Sequence, residues 1–541
     1  MWLWLLIAGA ALAQQPAPTP VPVVTDPMTA ALEALPAASY ADKQQLALQL
    51  AATGRPEARA LLQAFLDGNL YTRTADQQVF IGAAAEGGLA LTDPRTGQSA
   101  GTSAGDTLEK IGTNNGLRRA LRGALAQFDL QNPDAAARLA AVKEILGGLD
   151  DNTTGMLRAR LPDETDAAVR DEINLGLALH DLESDETATR MAAVRSLSGS
   201  LNSEVYNRLK ALTDQGSDGS FAEPDEAIRS AARTALDSIE NRRALYSGVE
   251  TLFFGLSLGS VLVLAAIGLS ITFGVMGIIN MAHGELMMLG AYTTYVVQQA
   301  MPGHIGASIV VAIPAAFMVS ALAGVAIERG IVRFLYGRPL ETLLATFGVS
   351  LVLQQLVRDV FSANNRPIET PAWLAGSLQI NEVLSITWVR LYIVFFTLAV
   401  FALLLLVLRK TRLGLEVRAV SQNRPMARAM GIRTEWVDAM TFGLGSGIAG
   451  VAGVALSQLT NVGPNLGQSY IVDSFMVVVF GGVANLWGTL VGGLSLGVVN
   501  KILEPFAGAV LAKIFVLVFL ILFIQRRPRG LFPQKGRAAE G

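Results

Sequence analysis

Residues 278–292 read Ile-Ile-Asn-Met-Ala-His-Gly-Glu-Leu-Met-Met-Leu-Gly-Ala-Tyr. They place an amide, an imidazole and a carboxylate, from Asn280, His283 and Glu285, inside a long apolar run. Polar and ionisable groups are expensive at membrane depth, and they rarely stand there for packing alone. The three side chains are therefore predicted to line a solute path.

The same residues also have a structural interpretation. An interrupted membrane helix leaves backbone carbonyls unbonded, and nearby amide and imidazole groups can satisfy them. A solute path is the favoured prediction, and bonding of freed backbone groups is the alternative. The glycines predicted to break the helix are Gly274, Gly277 and Gly284.

Charge divides the chain into two halves. It has 541 residues, 51% of them apolar, which is too long for one domain and too apolar for a purely soluble protein. Residues 1–250 carry 22 Lys+Arg and 33 Asp+Glu, whereas residues 251–541 carry 20 and 12. An acidic, soluble-looking half therefore precedes a basic, membrane-like half, and we place the boundary at 247/248.

The N-terminus has the outline of a secretory signal peptide. Residues 1–13 form a short apolar run that ends in Ala-Leu-Ala, although no Lys or Arg precedes the run. The run is well short of the ~20 residues that a spanning helix needs. Residues 14–247 are therefore expected to form a domain exported to a bacterial periplasm.

A recurring pattern predicts helical hairpins in residues 134–243. An acidic residue stands four residues before an arginine, which puts both on one helix face, and small apolar residues that allow close packing follow. HEAT-like repeats are expected, with a plain helical bundle as the alternative because the intervals are irregular. The Gly-, Thr- and Asn-rich residues 85–116 are expected to be a loop, and the fold class all-α. The pairs are Asp134/Arg138, Asp166/Arg170, Glu186/Arg190 and Asp225/Arg229.

Composition excludes several kinds of site. The chain has no cysteine, so disulfides, thiolate metal sites and cysteine nucleophiles are excluded. Its three histidines, His180, His283 and His304, are far apart, and no His-Glu-x-x-His motif occurs. The exported half is acidic, which argues against nucleic-acid binding. We expect neither a metal ion nor another cofactor.

The second half contains about nine apolar segments. Most approach the ~20 residues that cross the hydrocarbon, and the seventh and eighth are short enough to be half-inserted. The loop 409–433 carries seven basic residues and one acidic residue, and the tail after residue 525 is also basic, so both are predicted to be cytoplasmic. The loop 362–388 is predicted to lie outside. The segments are 250–276, 280–300, 305–327, 342–361, 389–408, 438–460, 471–484, 486–503 and 510–525.

The basic region near 409–437 is also amphipathic. Apolar and charged residues alternate between 415 and 432, and Gly431 supplies a natural helix stop. One short helix on the cytoplasmic face is expected, suited to a groove on a partner. Anchoring to anionic membrane lipid is the alternative.

Three ordered motifs resemble one known family. The pattern of Gly268-Leu269, Gly274-Val275, residues 279–285 and Gly290-Ala291-Tyr292 resembles the signature of the membrane permeases of branched-chain amino-acid ABC importers. The loop 416–432 resembles the cytoplasmic coupling loop of that family, and residues 481–493 resemble its late glycine-rich helix pair.

The resemblance implies a permease subunit in a bacterial inner membrane. Its implied partners are a second homologous permease, two cytoplasmic ATP-binding subunits and a periplasmic solute-binding protein. The chain has no Gly-x4-Gly-Lys-Ser/Thr loop to hold ATP phosphates, which agrees with hydrolysis on separate subunits. The implied ATPase-coupling residues are Glu416, Arg418, Asn423, Arg424, Arg428, Met430 and Gly431.

The solute is predicted from domain architecture. Ordinary members of the family lack a large exported domain, and a signal peptide followed by a helical domain is similar to the urea-uptake branch. Urea or a related small amide is therefore the prediction, because amide and neutral imidazole groups suit it. A branched-chain or polar amino acid is the alternative. A passive channel and an intramembrane enzyme using His283 and Glu285 are further alternatives.

Overall fold

The computed structural model describes residues 26–85, 88–103, 107–216 and 219–532. The predicted signal peptide, residues 1–13, lies outside these ranges. The chain divides into two compact units between Ile239 and Glu240, close to the predicted boundary at 247/248.

The first part of the N-terminal unit combines helices with a β-sheet. Its elements are α1 (Pro27–Ala34), α2 (Tyr40–Ala52), α3 (Pro56–Leu66), β1 (Leu70–Arg73), β2 (Val79–Ala85), β3 (Gly88–Thr92), β4 (Ser99–Ser103), β5 (Leu108–Lys110) and α4 (Asn115–Asp129). The five strands are all antiparallel, in the order β4-β3-β2-β1-β5. Leu117, Leu121 and Ala124 on α4 are fully buried in the core of this part.

The sheet corrects two expectations. The all-α class is wrong for this unit, and the expected loop 85–116 contains strands β3, β4 and β5 and the start of α4. Glycine suggests a loop, but it also occurs on strands where a neighbouring side chain approaches closely. Gly82 on β2, just before this range, is such a case, since a methyl group there would lie 2.7 Å from the Tyr71 ring on β1.

The rest of the unit is helical. Three of the four acids of the recurring pairs cap helices: Asp134, Asp166 and Asp225 each accept a hydrogen bond from the backbone N–H two residues later, at 3.1, 2.9 and 2.7 Å. The repeat of helix pairs stays a prediction. The elements are α5 (Ala135–Leu146), α6 (Asp151–Arg160), a short 3-10 helix (Leu161–Asp163), α7 (Ala167–Asp181), α8 (Thr187–Leu197) and α9 (Ser203–Thr213).

Two of the recurring arginines form the same buried arrangement. Arg138 donates to the Glu164 carboxylate at 2.8 and 2.7 Å, and Arg190 donates to Glu223 at 2.9 and 3.1 Å. Each arginine also donates to the backbone carbonyls five and six residues before it. The hydrogen bonds from Arg138 lower the pKa of Glu164 to about 2. The first pair joins α5 to the residue that follows the 3-10 helix, and the second joins α8 to the segment that follows α9.

The second unit carries the apolar helices. Helix α10 (Glu226–Met276) begins before the division between Ile239 and Glu240 and continues into this unit. The other elements are α11 (His283–Ala300), α12 (Ile305–Gly330), a short 3-10 helix (Val332–Leu335), α13 (Pro339–Phe361), β6 (Ser377–Gln379), β7 (Ser385–Thr387), α14 (Trp388–Lys410), α15 (Arg412–Gln422), α16 (Arg424–Ala429), α17 (Thr434–Ser457), α18 (Leu466–Gly481) and α19 (Leu486–Arg526). Strands β6 and β7 form a β-hairpin in the connection between α13 and α14.

In the described part of the chain, six helices are long and apolar enough to cross a membrane: α10, α12, α13, α14, α17 and α19. Helix α18 is apolar but shorter. The predicted segments 486–503 and 510–525 fall in the single element α19, which is interrupted at Gly508 with φ +78°. The expected count of nine separate segments is not confirmed.

Glycines let the central helices of this unit approach closely. A methyl group on Gly290 of α11 would lie 2.5 Å from the Gly450 Cα of α17. Gly450 in turn faces the carbonyl oxygen of Ala316 on α12. Such contacts between small residues hold membrane helices together by close van der Waals packing. Helix α17 is consequently buried along most of its length.

Candidate functional site

The polar motif lies where the chain turns back on itself. Helix α10 ends at Met276, Gly277 adopts φ +66°, and residues 277–282 are not helical before α11 begins at His283. The His283 Nε2 lies 2.8 Å from the carbonyl oxygen of Ala265, eleven residues before the end of α10. The non-helical segment therefore returns alongside α10, so α11 begins beside the interior of that helix.

We call residues 277–282 the return segment. Asn280 in this segment and His283, the first residue of α11, are fully buried. The Asn280 Oδ1 accepts a hydrogen bond from the Ala282 N–H at 3.0 Å, as the structural interpretation expects. Its Nδ2 and the His283 Nδ1 have no hydrogen-bond partner within the described residues. Buried polar atoms are normally satisfied, so two free ones in one segment need a ligand or water to explain them.

Glu285 lies in the first turn of α11 and is also buried. Its Oε1 accepts hydrogen bonds from the Ser350 Oγ at 3.0 Å and the Gln354 Nε2 at 2.7 Å, both on α13. Its Oε2 has no hydrogen-bond partner among the described atoms. A buried carboxyl group therefore presents one unused acceptor between two helices.

Helix α13 supplies the polar residues that the sequence analysis missed. Buried polar residues recur every fourth position along it, on one face of the helix. Thr346 joins this face to the return segment, since its Oγ1 accepts from the Met281 N–H at 3.1 Å. The spacing of four inside an apolar segment was the signal available in the sequence. The four residues are Thr342, Thr346, Ser350 and Gln354.

We call the facing polar residues of the return segment, α11 and α13 the polar seam: Asn280, Glu285, Thr346, Ser350 and Gln354. The hydroxyl of Tyr292, two turns further along α11, is buried without a hydrogen-bond partner in the described chain. Its ring packs on Phe361 with centroids 4.7 Å apart. The seam thus leads from the return segment towards the end of α13.

The three glycines have different roles from those expected. Only Gly277 lies at the helix break, where its left-handed backbone favours a residue without a Cβ. Gly274 lies inside α10 and Gly284 inside α11, so neither breaks a helix. A methyl group on Gly274 would lie 2.5 Å from the Ala484 Cα, and one on Gly284 would lie 2.5 Å from the Gly467 carbonyl oxygen. These two glycines permit close packing.

The basic region forms two short helices instead of one. Helix α15 ends at Gln422, and the Asn423 Oδ1 accepts from the Met426 N–H at 3.0 Å, which caps α16. A single amphipathic helix was expected, but an N-cap residue starts a new helix and turns the chain. Gly431 follows α16 with φ +88°, as a helix stop requires.

The charged residues of this region differ in what they contact. Arg424 donates to the Asp438 carboxylate of α17 and lies 3.9 Å from the centre of the Tyr336 ring. Arg428 is exposed and donates to the Thr434 hydroxyl at 3.0 Å. Arg418 bonds the Leu408 carbonyl oxygen at the end of α14. Arg424 and Arg418 therefore hold the region to its own unit.

Two apolar side chains are exposed among the polar residues of this region. The side chains of Met426 and Met430, one turn apart, are 58% and 77% exposed. Asn423, Arg428 and Gly431 are exposed with them, and Glu416 is half-buried on α15. Val417, Val420 and Ala427 form the buried side.

Metal ligands are not assembled anywhere in the described residues. No group of three His, Asp or Glu side chains there could hold a metal ion. His283 lies near backbone carbonyls instead of other ligands, and His180 and Asp151 face each other at 3.6 Å in the other unit.

Most of the second unit matches a known protein family. Residues 251–524 match the family described as "Branched-chain amino acid transport system / permease component". The chain is 31% identical over 294 residues to the high-affinity branched-chain amino acid transport system permease protein LivH of Salmonella typhimurium, covering 52% of this chain and 94% of LivH. It is 31% identical over 299 residues to the corresponding BraD of Pseudomonas aeruginosa, covering 53% and 96%.

A more distant relative also transports solutes. The ribose import permease protein RbsC of Haemophilus influenzae is 26% identical over 256 residues, covering 45% of this chain and 74% of RbsC. No solved structure matches the chain. The relatives are transport permeases and not enzymes, and the match spans nearly all the apolar helices with the polar seam among them. The chain belongs to the permease family of branched-chain amino acid transport systems.

Proposed function

We propose that this chain forms half of the translocation path of an ABC importer, and that the solute passes along the polar seam. The observation that supports the proposal most is the unused hydrogen-bonding capacity of Asn280, His283 and Glu285. These side chains are buried at membrane depth, where unsatisfied polar atoms are costly. A moving solute or its water would satisfy them in turn.

The other half of the path and the energy source come from partners in this proposal. A second homologous permease faces this one, two ATP-binding subunits dock from the cytoplasm, and a periplasmic protein delivers the solute. The chain lies in a bacterial inner membrane with its N-terminal unit in the periplasm and its C-terminus in the cytoplasm. The basic excess of residues 409–433 supports that orientation.

The proposed docking surface for the ATP-binding subunits is the exposed face around Met426 and Met430. A methionine pair outside the membrane segments fits an apolar groove, because methionine adapts its shape to a partner. Glu416, Asn423, Arg428 and Gly431 border the same surface. Arg424 and Arg418 position it from within.

We expect Met426→Asp combined with Met430→Asp to reduce co-purification of the ATP-binding subunits at least ~10-fold, because two buried apolar contacts are worth ~1.5–3 kcal/mol each. Membrane level and melting temperature should stay unchanged, since both side chains are exposed. The control is Val352→Ser combined with Leu356→Ser, two exposed residues one turn apart on α13. Unchanged co-purification would leave lipid anchoring as the role of this region.

Two solute classes fit the proposal. The names of the LivH and BraD relatives favour a branched-chain amino acid. Urea or a small amide is the second candidate, because four of the five seam residues, Asn280, Thr346, Ser350 and Gln354, offer uncharged donors and acceptors. The extra N-terminal unit, outside the matched residues 251–524, supports the urea branch.

The experiment that tests the function is uptake by the whole complex in proteoliposomes. We expect uptake of labelled L-leucine to require hydrolysable ATP and to be competed by isoleucine but not by urea. Competition by urea and short amides, without competition by isoleucine, would select the second candidate. Uptake that continues with a nonhydrolysable ATP analogue would contradict the importer and indicate a passive channel.

A further inference from the structure

The second unit contains an ion pair between two apolar helices, α18 and α19, that the polar seam does not use. The Lys513 Nζ lies 2.8 Å from the Asp473 Oδ2 and donates to it. Asp473 is central in the apolar helix α18, and Lys513 is the only charged residue between Phe506 and Gln525. Charged groups in such helices mark functional positions by default, because their burial in lipid is costly.

A cavity adjoins the pair. Its volume is about 230 Å³, and it lies between α10, α18 and α19. The polar part of its lining comprises Ser469, Tyr470, Asp473, Asn500 and Lys513. The apolar part comprises Leu258, Leu262, Met476, Leu496 and Val516. The cavity is therefore lined by both charged and apolar side chains.

Both side chains of the ion pair can make further hydrogen bonds to a ligand without breaking their contact with each other. A lysine ammonium has three donors and a carboxylate has about four acceptor sites, and the pair uses one of each. The Asp473 side chain is 11% exposed and that of Lys513 is 51% exposed, so the lysine reaches into open space. Each charge is fixed by the other, which reduces the ordering cost of binding a third group.

We propose that this cavity binds a zwitterionic α-amino acid with a branched aliphatic side chain. The ammonium of the ligand bonds the Asp473 carboxylate, its carboxylate bonds the Lys513 ammonium, and its side chain packs against Leu262, Met476 and Leu496. A solute without charges, such as urea, gains nothing from two opposite charges. The inference rests on the proposed function, because it places one solute class of that importer in a site separate from the polar seam.

Ligand chemistry tests the site without altering the protein. Binding of labelled L-leucine is measured on the permease complex in lipid nanodiscs, without the solute-binding protein. Leucinamide lacks the carboxylate and 4-methylpentanoate lacks the ammonium, so each should compete at least ~10-fold more weakly than leucine, as loss of one charged hydrogen bond predicts. Equal competition by either analogue would overturn the proposal.

Variants test the residues. Asp473→Asn and Lys513→Met should each weaken leucine binding at least ~10-fold. The matched control is Lys501→Met, which removes another lysine of α19 whose ion pair, to Glu504 at 2.7 Å, does not line the cavity. Wild-type affinity in both cavity variants would overturn the proposal.

A purely structural pair gives a different result. The double variant Asp473→Lys with Lys513→Asp keeps the attraction between α18 and α19 but exchanges the two charges relative to the apolar wall. Recovery of melting temperature without recovery of leucine binding supports the site, and recovery of both would show that the pair only joins the helices. If Asp473→Asn still takes up leucine with ATP at the wild-type rate, the cavity site is wrong but the proposed function stands. If the wild-type complex takes up no leucine, the proposed amino-acid transport is wrong.

Discussion

Replacement of Gly290 by alanine is expected to abolish the folded, active permease. The new methyl group would lie 2.5 Å from the Gly450 Cα and would overlap the carbonyl oxygen of that residue. Gly450 cannot retreat, because a methyl group there would already lie 2.5 Å from the Ala316 carbonyl oxygen on the far side. Added atoms in a packed core usually cost ~1–3 kcal/mol, and a clash between two backbones that are both held lies at the upper end or beyond it.

The matched control for this prediction is Gly348→Ala. Gly348 lies in α13 of the same unit, and a methyl group there would meet no atom within 4 Å. Alanine favours a helix over glycine by ~1 kcal/mol, so this control should be neutral or slightly stabilising. Size-exclusion profiles, melting temperature and ATP-driven uptake measure the difference. A Gly290→Ala protein that melts at the wild-type temperature would show that α11 and α17 do not pack as described.

The polar motif could be predicted from the sequence because the free-energy cost of polar residues in an apolar segment depends on local sequence alone. Asn280, His283 and Glu285 stand in an apolar run, and this contrast needs no knowledge of the fold. The family resemblance was likewise carried by ordered motifs and is confirmed by the match over residues 251–524. The urea branch, the HEAT-like repeat and the export of the N-terminal unit stay predictions.

The sequence could not show which residues contact the polar motif, and the reason is physical. Ser350 and Gln354 meet Glu285 across 65 and 69 residues of chain, and such a contact depends on which helix faces pack. A serine or threonine in a membrane helix is cheap, since its hydroxyl can bond its own backbone, so each looked unremarkable alone. Their recurrence at every fourth position in α13 carried the information.

The sheet of the N-terminal unit was missed for a similar reason. Strands β4 and β5 are 5 and 3 residues long, and β4 is exposed at most positions, so no alternation of apolar and polar residues identifies them. Pairing with β3 and β1 creates these strands, and pairing partners are not visible in a local window. The Gly-, Thr- and Asn-rich composition of residues 85–116 predicted a loop because these residue types indicate a flexible backbone. Composition gives no information about which strands pair.

The second large effect is expected at Glu285. Glu285→Gln should lower ATP-driven uptake at least ~10-fold while assembly with the partners continues, because an amide keeps a carbonyl acceptor for the Ser350 and Gln354 donors. The Oε2 of Glu285, which has no hydrogen-bond partner within the described residues, becomes an NH₂ donor in this variant. The polarity of the unused position is thereby inverted at nearly constant volume.

Three comparisons separate a transport role from a structural one. Glu285→Leu removes the acceptor of two buried hydrogen bonds, from Ser350 and Gln354, and leaves Gln354 only its longer bond to the Ser350 Oγ at 3.3 Å. It should therefore also lower the melting temperature, as such losses cost ~1–3 kcal/mol. Glu285→Asp retains the charge and should recover part of the uptake. Thr294→Val is the control, because the buried Thr294 hydroxyl of the same helix donates to the Gly290 carbonyl oxygen at 3.1 Å and has no other hydrogen bond among the residues that the structure describes.

The contrast among these variants decides what the seam does. If uptake falls in Glu285→Gln with unchanged melting temperature and unchanged Thr294→Val activity, the free carboxylate oxygen acts on the solute. If all three Glu285 variants transport at the wild-type rate, the seam only satisfies the backbone and side chains around the return segment. In that case Asn280 and His283 serve the interrupted chain at Gly277, and the solute must cross elsewhere in this unit.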